Sequence, residues 1–301
     1  SLACGKQRHG GTSTMRSLNR RELFRATAGL SAAAGLSRFA AAGGAGMHMG
    51  LVTYMWGAKM DLPTLISACT KSGMLGVELR TQHAHGVEPT LSKAQRAEVK
   101  KRFADSPVTL VGYGANSEFH SPDPAVLRKN IEEAKAYVQL MADCGGLGVK
   151  VKPNTLPKDV PKEKTIEQIG KALNEVAAYG ANYGQKIRVE VHGHLTQNPT
   201  VMKQIFDVAT NKNCYICWNS NDEDLDPPGL EANFAMLKPR LGDTVHVREL
   251  NVGDYPYTKL MKLFTGMNYK GWILMEARTE QADKVAAMAE QVAVFKKMIA
   301  S

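Results

Sequence analysis

The chain contains no run approaching the ~18 consecutive apolar residues that a bilayer-spanning helix needs, so no stable membrane insertion is expected of it. Cysteine is scarce. Of the five, Cys4 lies near the start, and Cys69 and Cys144 fall in helix-like stretches. Cys214 and Cys217 have the CxxC spacing, but their surroundings read as a strand. Residues three apart on a strand point to opposite faces, so this pair is a poor chelator, and both thiols read as small buried apolar groups. A disulfide framework is therefore excluded. Also missing are a flexible interdomain linker, low-complexity sequence and any short-period repeat. An excess of basic charge exists, +9 over the whole chain, but it is unevenly placed. The first 46 residues carry Lys6, Arg8, Arg16, Arg20, Arg21, Arg25 and Arg38 against Glu22 alone, leaving only +3 for the remainder. The rest of the chain thus lacks the basic surface that nucleic-acid binding requires.

That first segment reads as an export signal. Asn19-Arg20-Arg21-Glu22-Leu23-Phe24-Arg25 resembles the twin-arginine motif. A mildly apolar stretch rich in Ala and Gly follows, and Ala40-Ala41-Ala42 offers a small-residue cleavage site. The order starts at Met15, which leaves residues 1–14 as an upstream extension. The expectation is a signal-bearing extension over 1–46 and a periplasmic or secreted domain over 47–301.

In that domain, strand-like runs at 47–54, 75–80, 108–112, 148–152, 187–192, 215–219, 244–248 and 272–276 alternate with amphipathic stretches at 62–72, 93–104, 125–142, 165–183, 199–209, 229–237, 257–264 and 281–299. Strict alternation predicts a parallel sheet, and the length suits a single α/β domain of the (β/α)8 TIM-barrel type, typically about 250 residues. Segments from strand to helix are long and rich in His, Asn, Asp and Pro, which puts function at the C-terminal face.

Four strands end in a candidate metal ligand: Glu190, Asn219, His246 and Glu276. Two carboxylates, an amide oxygen and an imidazole meeting at a barrel mouth form a donor set for a divalent cation. A lone strand-end Glu is more often a rim carboxylate paired with a nearby base, a role Arg278 could fill for Glu276. Beside His246, Arg248 and Glu249 offer one substrate contact and one group to orient the imidazole. Substrate contacts are also expected from His192, from Glu78 and Arg80 on the second strand, from His120 after the third, and from Lys152, which shares a face with Lys150 on the fourth.

These strand ends resemble the xylose-isomerase-like barrel superfamily, which includes sugar isomerases, epimerases and family 2 AP endonucleases. The resemblance spans about residues 47–300. It rests on Glu190 in Val189-Glu190-Val191-His192-Gly193, on His246 with Arg248 and Glu249, and on Glu276 after Gly271-Trp272. The family's sixth strand usually ends in Asp, where Asn219 stands here. The resemblance implies a divalent metal (Mn, Mg, Co or Zn) and a small carbohydrate or glycoside substrate, with a homo-oligomer compatible.

The leading expectation is a sugar isomerase or epimerase working through an enediolate, with Glu190 and Glu276 as acid and base. The alternatives are an exported 3-keto-glycoside lyase, which breaks a glycosidic bond by β-elimination, and a non-catalytic sugar-binding barrel, for which Asn219 is the hint. The endonuclease branch fits poorly, since it needs a multinuclear zinc site and a basic groove.

Overall fold

The computed structural model describes residues 46–300, so the expected signal lies outside the described residues. Gly46–Ser301 is one compact unit. Eight strands, β1 (His48–Val52), β2 (Gly76–Arg80), β3 (Thr109–Glu118), β4 (Gly148–Lys152), β5 (Lys186–Glu190), β6 (Cys214–Asn219), β7 (Leu241–Val247) and β8 (Trp272–Met275), pair in parallel in chain order. The barrel closes where His48 to Leu51 of β1 register with Trp272 to Met275 of β8. The outer helices are α1 (Leu62–Ser72), α2 (Lys93–Ala104), α3 (Pro124–Cys144), α4 (Lys162–Asn182), α5 (Pro199–Val208), α6 (Leu230–Leu237), α7 (Tyr257–Gly266) and α8 (Lys284–Ile299). The expected (β/α)8 barrel is what forms.

Helix starts follow local chemistry. Asp61, Asp123 and Asn198 each accept a backbone N–H at the first turn of α1, α3 and α5, just ahead of a proline. Such caps satisfy donors that the helix itself leaves open. Ser92 and Gln95 form a reciprocal capping box on α2, which buries only Val99 and Phe103 and so depends on its ends.

β3 departs most from expectation, running to Glu118 rather than ending at 112. Its Gly, Asn and Ser residues read locally as a turn, yet Gly114 and Glu118 register with Lys150 and Lys152 of β4, so pairing overrides propensity.

The main apolar core lies between strands and helices, while a small second cluster of Val52, Val111 and Leu274 fills the barrel itself. The rest of the interior is polar. Arg188 is fully buried, and a side chain at Gly112 would collide with its Nη1 at 2.5 Å. Arg188 spans the floor to Asp243, bonding Nε to Oδ1 at 2.9 Å and Nη2 to Oδ2 at 3.2 Å.

Candidate active site at the barrel mouth

Along β5, Arg188 and Glu190 are two residues apart and share the inward face, as do Lys150 and Lys152 on β4. This alternation places Lys150 Nζ 2.5 Å from Glu190 Oε2, with both side chains buried. The other Glu190 oxygen, Oε1, lies 3.4 Å from Asn219 Nδ2 and 3.5 Å from His246 Nδ1. Burial works to raise the Glu190 pKa, but Lys150 and His246 outweigh it and hold the carboxyl well below the usual carboxylate range. His246 has Glu78 on its far side, Nε2 to Oε1 at 3.1 Å. Burial opposes a charged imidazole here, yet Cys217, Glu78 and Glu190 around it raise its pKa well above the ordinary value.

Glu276 follows the last residue of β8 and stays tied to the sheet, its N–H donating to Val247 O at 2.7 Å. Each of its carboxylate oxygens takes one guanidinium: Arg80 Nη1 on Oε1 at 2.8 Å and Arg278 Nη2 on Oε2 at 3.0 Å. Both arginines also lie on the Tyr54 ring, 5.4 and 5.2 Å from its centroid. Cation–π contact at this range adds attraction and fixes the planes of the two guanidinium groups.

The expected substrate contacts sort by depth. Lys152 ends β4 at 9% exposure, and its side chain makes no hydrogen bond or ion pair with the described residues. Burial first, then the neighbouring Lys150 and Arg80, lower its pKa against the opposing pull of Glu190 and Glu118. His192 is half-buried, its Nδ1 3.1 Å from Asn154 Oδ1, and burial lowers its pKa. The close approach behind this pair requires Gly193, since a Cβ there would lie 1.6 Å from Asn154 O. His120 is half-buried, 3.8 Å from Glu118. Arg248 is half-buried, with its backbone N–H donating to Tyr257 Oη.

Glu78 lies elsewhere than expected. It is two residues short of the strand end, fully buried, and bonded to His246 rather than turned to a substrate. Glu249 does not orient His246 either. It accepts the backbone N–H groups of Arg278 and Thr279 and the Thr279 hydroxyl, bracing the chain after Glu276. The imidazole is held instead by Glu78, a role the sequence did not mark because its partner is 168 residues away. The pairing of Lys150 with Glu190 was missed for the same reason, although the i, i+2 spacing on β4 and β5 already put both on the inner face.

Glu190, His246 and Glu276 bring three donor atoms within 4.8 Å of one another, a spacing that a metal ion could draw together. The charges around them do not fit a divalent ion. A cation site of this type relies on carboxylates whose charge the ion itself neutralises. Here Lys150 already neutralises Glu190, Arg80 and Arg278 neutralise Glu276, and the sixth strand presents the uncharged Asn219. An ion at Glu190 would also place a second positive charge beside the fully buried Lys150, whose one acceptor among the described residues is Glu190 Oε2.

A closed parallel barrel of eight strands, with charged and polar residues gathered at the ends of β2, β4, β5, β7 and β8, is a TIM barrel. The chain belongs to the xylose isomerase-like TIM barrel family, whose profile matches residues 66–298. Similar solved structures include the 3-keto-D-glucoside 4-epimerase YcjR from E. coli (13% identity, TM-score 0.71, covering 83% of this chain and 99% of that one). A D-psicose 3-epimerase solved in the presence of D-fructose is 15% identical (TM-score 0.71, 85% and 100%). The IolI protein with a bound zinc atom is likewise 15% identical (TM-score 0.72, 84% and 98%). At these identities the likeness shows the fold. No curated protein matches the chain in sequence.

Proposed function

We propose that this protein is a sugar isomerase or epimerase that moves a proton on the carbon next to a carbonyl. The observation that carries the reading is the convergence of Glu190 and Glu276, from β5 and β8, on one small space at the functional end of this family's barrel. Barrels of the same shape include a D-psicose 3-epimerase and a 3-keto-D-glucoside 4-epimerase, which supports a keto-sugar or keto-glycoside as substrate.

In the proposed step, one carboxylate takes the α-proton. The C–H electron pair becomes the C=C bond of an enediolate, and the carbonyl π pair moves onto oxygen as an oxyanion. The carboxyl that took the proton returns it to the neighbouring carbon while the α-hydroxyl proton passes to the oxyanion, which moves the carbonyl. Alternatively, the second carboxyl, having taken a proton from solvent, gives it to the opposite face of the same carbon, which inverts it. The ion pairs hold both carboxylates in fixed orientations, and Lys152 stands at the strand end able to contact a substrate oxygen.

Incubation with ketohexoses and 3-keto-glycosides in D2O, followed by NMR, tests the reading. Deuterium at the α-carbon with an epimer or positional isomer is expected. An aglycone released from the keto-glycosides would instead mark β-elimination from the same enediolate, and no exchange into any sugar would end the enzymatic reading. We also propose that residues 1–46 direct export by the twin-arginine route, on the order of motif, apolar stretch and alanines. The Arg20→Lys/Arg21→Lys variant should then remain inside the cell, and its unchanged export would refute the signal.

A further inference from the structure

Four carboxylates (Glu78, Glu118, Glu190 and Glu276) stand in, under and beside the mouth with four basic side chains: Arg80, Lys150, Lys152 and Arg278. The pairing within this group is specific. Lys150 takes Glu190, the two arginines take the two oxygens of Glu276, and Tyr54 holds both guanidinium groups in place. One cation is left over. Lys152 lies at the strand end, nine-tenths buried, with no acceptor among the described residues. A buried ammonium without a partner is costly unless something else supplies the negative charge. Its position beside Glu190, across the paired β4 and β5 strands, puts that missing charge inside the proposed substrate space.

We infer that this barrel mouth works without a divalent ion and holds the oxyanion of its substrate on Lys152, the carboxylates being neutralised by Lys150, Arg80 and Arg278. The part of this inference that concerns the oxyanion rests on the isomerase reading; the part that concerns the ion rests on the charges alone. An ammonium fixed where negative charge develops stabilises the enediolate as a preorganised donor, with no reorganisation at the moment of reaction. Asn219 fits the same account. An aspartate there would need a cation of its own, whereas the amide reaches the Glu190 and Asn221 oxygens at 3.4 and 3.3 Å without adding charge.

Two measurements test the two parts separately. In the first, the full chain is stripped with EDTA, dialysed against Mn2+ or Zn2+, and examined for bound metal and for a shift in melting temperature. Far less than one ion per chain and no shift are expected of the wild type. One ion per chain with a raised melting temperature would overturn the inference, and this reading needs no variant. Lys150→Met/Asn219→Asp should gain one ion per chain. Because that change leaves Glu190 buried without its lysine, Lys150→Gln/Asn219→Asp, which keeps an uncharged donor for Glu190, is the second variant. A folded variant of either kind that takes up no more metal than the wild type would show that the cations are not what excludes the ion.

The second measurement is exchange of the α-proton of D-fructose, D-allulose and a 3-keto-glucoside in D2O with EDTA present. Exchange that survives the chelator and falls ~10²–10³-fold in Lys152→Met, the usual loss for one oxyanion donor, with partial recovery in Lys152→Arg, supports the inference. Exchange abolished by EDTA, or unchanged in Lys152→Met, overturns it and leaves the isomerase reading standing. Absence of exchange in every sugar, with and without metal, overturns the isomerase reading, while the metal stoichiometry still decides the first part.

Discussion

At the floor of the barrel Arg188 meets Asp243 through two parallel bonds and donates a third to Val111 O at 2.8 Å, while Lys186 adds a contact to the same acid at 2.8 Å from the solvent side. At the mouth, the same residue types are arranged differently. Among the described residues the Lys152 side chain has no acceptor, and Glu78 Oε2 and His246 Nδ1 are buried without a hydrogen bond. Buried polar groups in folded proteins are nearly always paired. The Arg188–Asp243 pair obeys that rule and closes the barrel, although Tyr269 Oη beside it is also buried without a hydrogen bond. The mouth departs from it at Lys152 Nζ and at His246 Nδ1, which lies 3.5 Å from Glu190 Oε1, and the proposed substrate is the group that would complete the pairing.

Substitutions at the two ends should separate these roles. The largest effect is expected at the mouth, where Glu190→Gln and Glu276→Gln should each lower turnover ~10²–10⁴-fold, the usual worth of general acid–base catalysis, as read by proton exchange and product NMR. Near-wild-type turnover in both would make the mouth as structural as the floor. Next in size, Arg188→Met removes the main partner of Asp243, which is a quarter exposed and keeps Lys186, and should cost about 3 kcal/mol of stability, measured by urea unfolding. A loss confined to activity would blur the distinction from the other side.

The pH dependence of the floor should be smaller. Burial tends to raise the Asp243 pKa, but Arg188 and Lys186 bring it down to about 2. The unfolded carboxyl titrates near ~3.9. The stabilisation is therefore present above ~4 and is lost as pH falls from there towards 2, an effect of about 2 kcal/mol. Asp243→Asn should flatten that acid limb in unfolding curves, and an unchanged limb would mean the floor pair contributes nothing to it. Smallest of all, Lys186→Ala should cost less than ~1 kcal/mol, because its side chain is 45% exposed and water screens the contact. If it matched Arg188→Met, burial would not be what distinguishes the two bases on Asp243.

The alternation of strand and helix signals, with ligand-type residues at four strand ends, was enough to specify the eight-stranded barrel and to point at Glu190, Asn219, His246 and Glu276. Period-2 and period-3.6 patterns are local, and a chain carrying them in strict alternation has few ways to bury its apolar faces. What those residues touch was a different matter. Glu190 meets Lys150 from 40 positions upstream, Glu276 meets Arg80 from 196 away, and Arg188 finds Asp243 across the floor 55 positions on. Asp243 was not even read as part of a strand, since β7 begins three residues earlier than its apolar run suggests. Sequence fixes which face of a strand a side chain takes. Closure of the sheet fixes which inward faces oppose one another, and charges interact over the few ångströms that closure sets. The sequence alone thus determined the barrel and the end at which Glu190, Asn219, His246 and Glu276 gather. Only the tertiary structure decided that the strand-end carboxylates are neutralised by the protein's own lysine and arginines, because that depends on distances no local pattern contains.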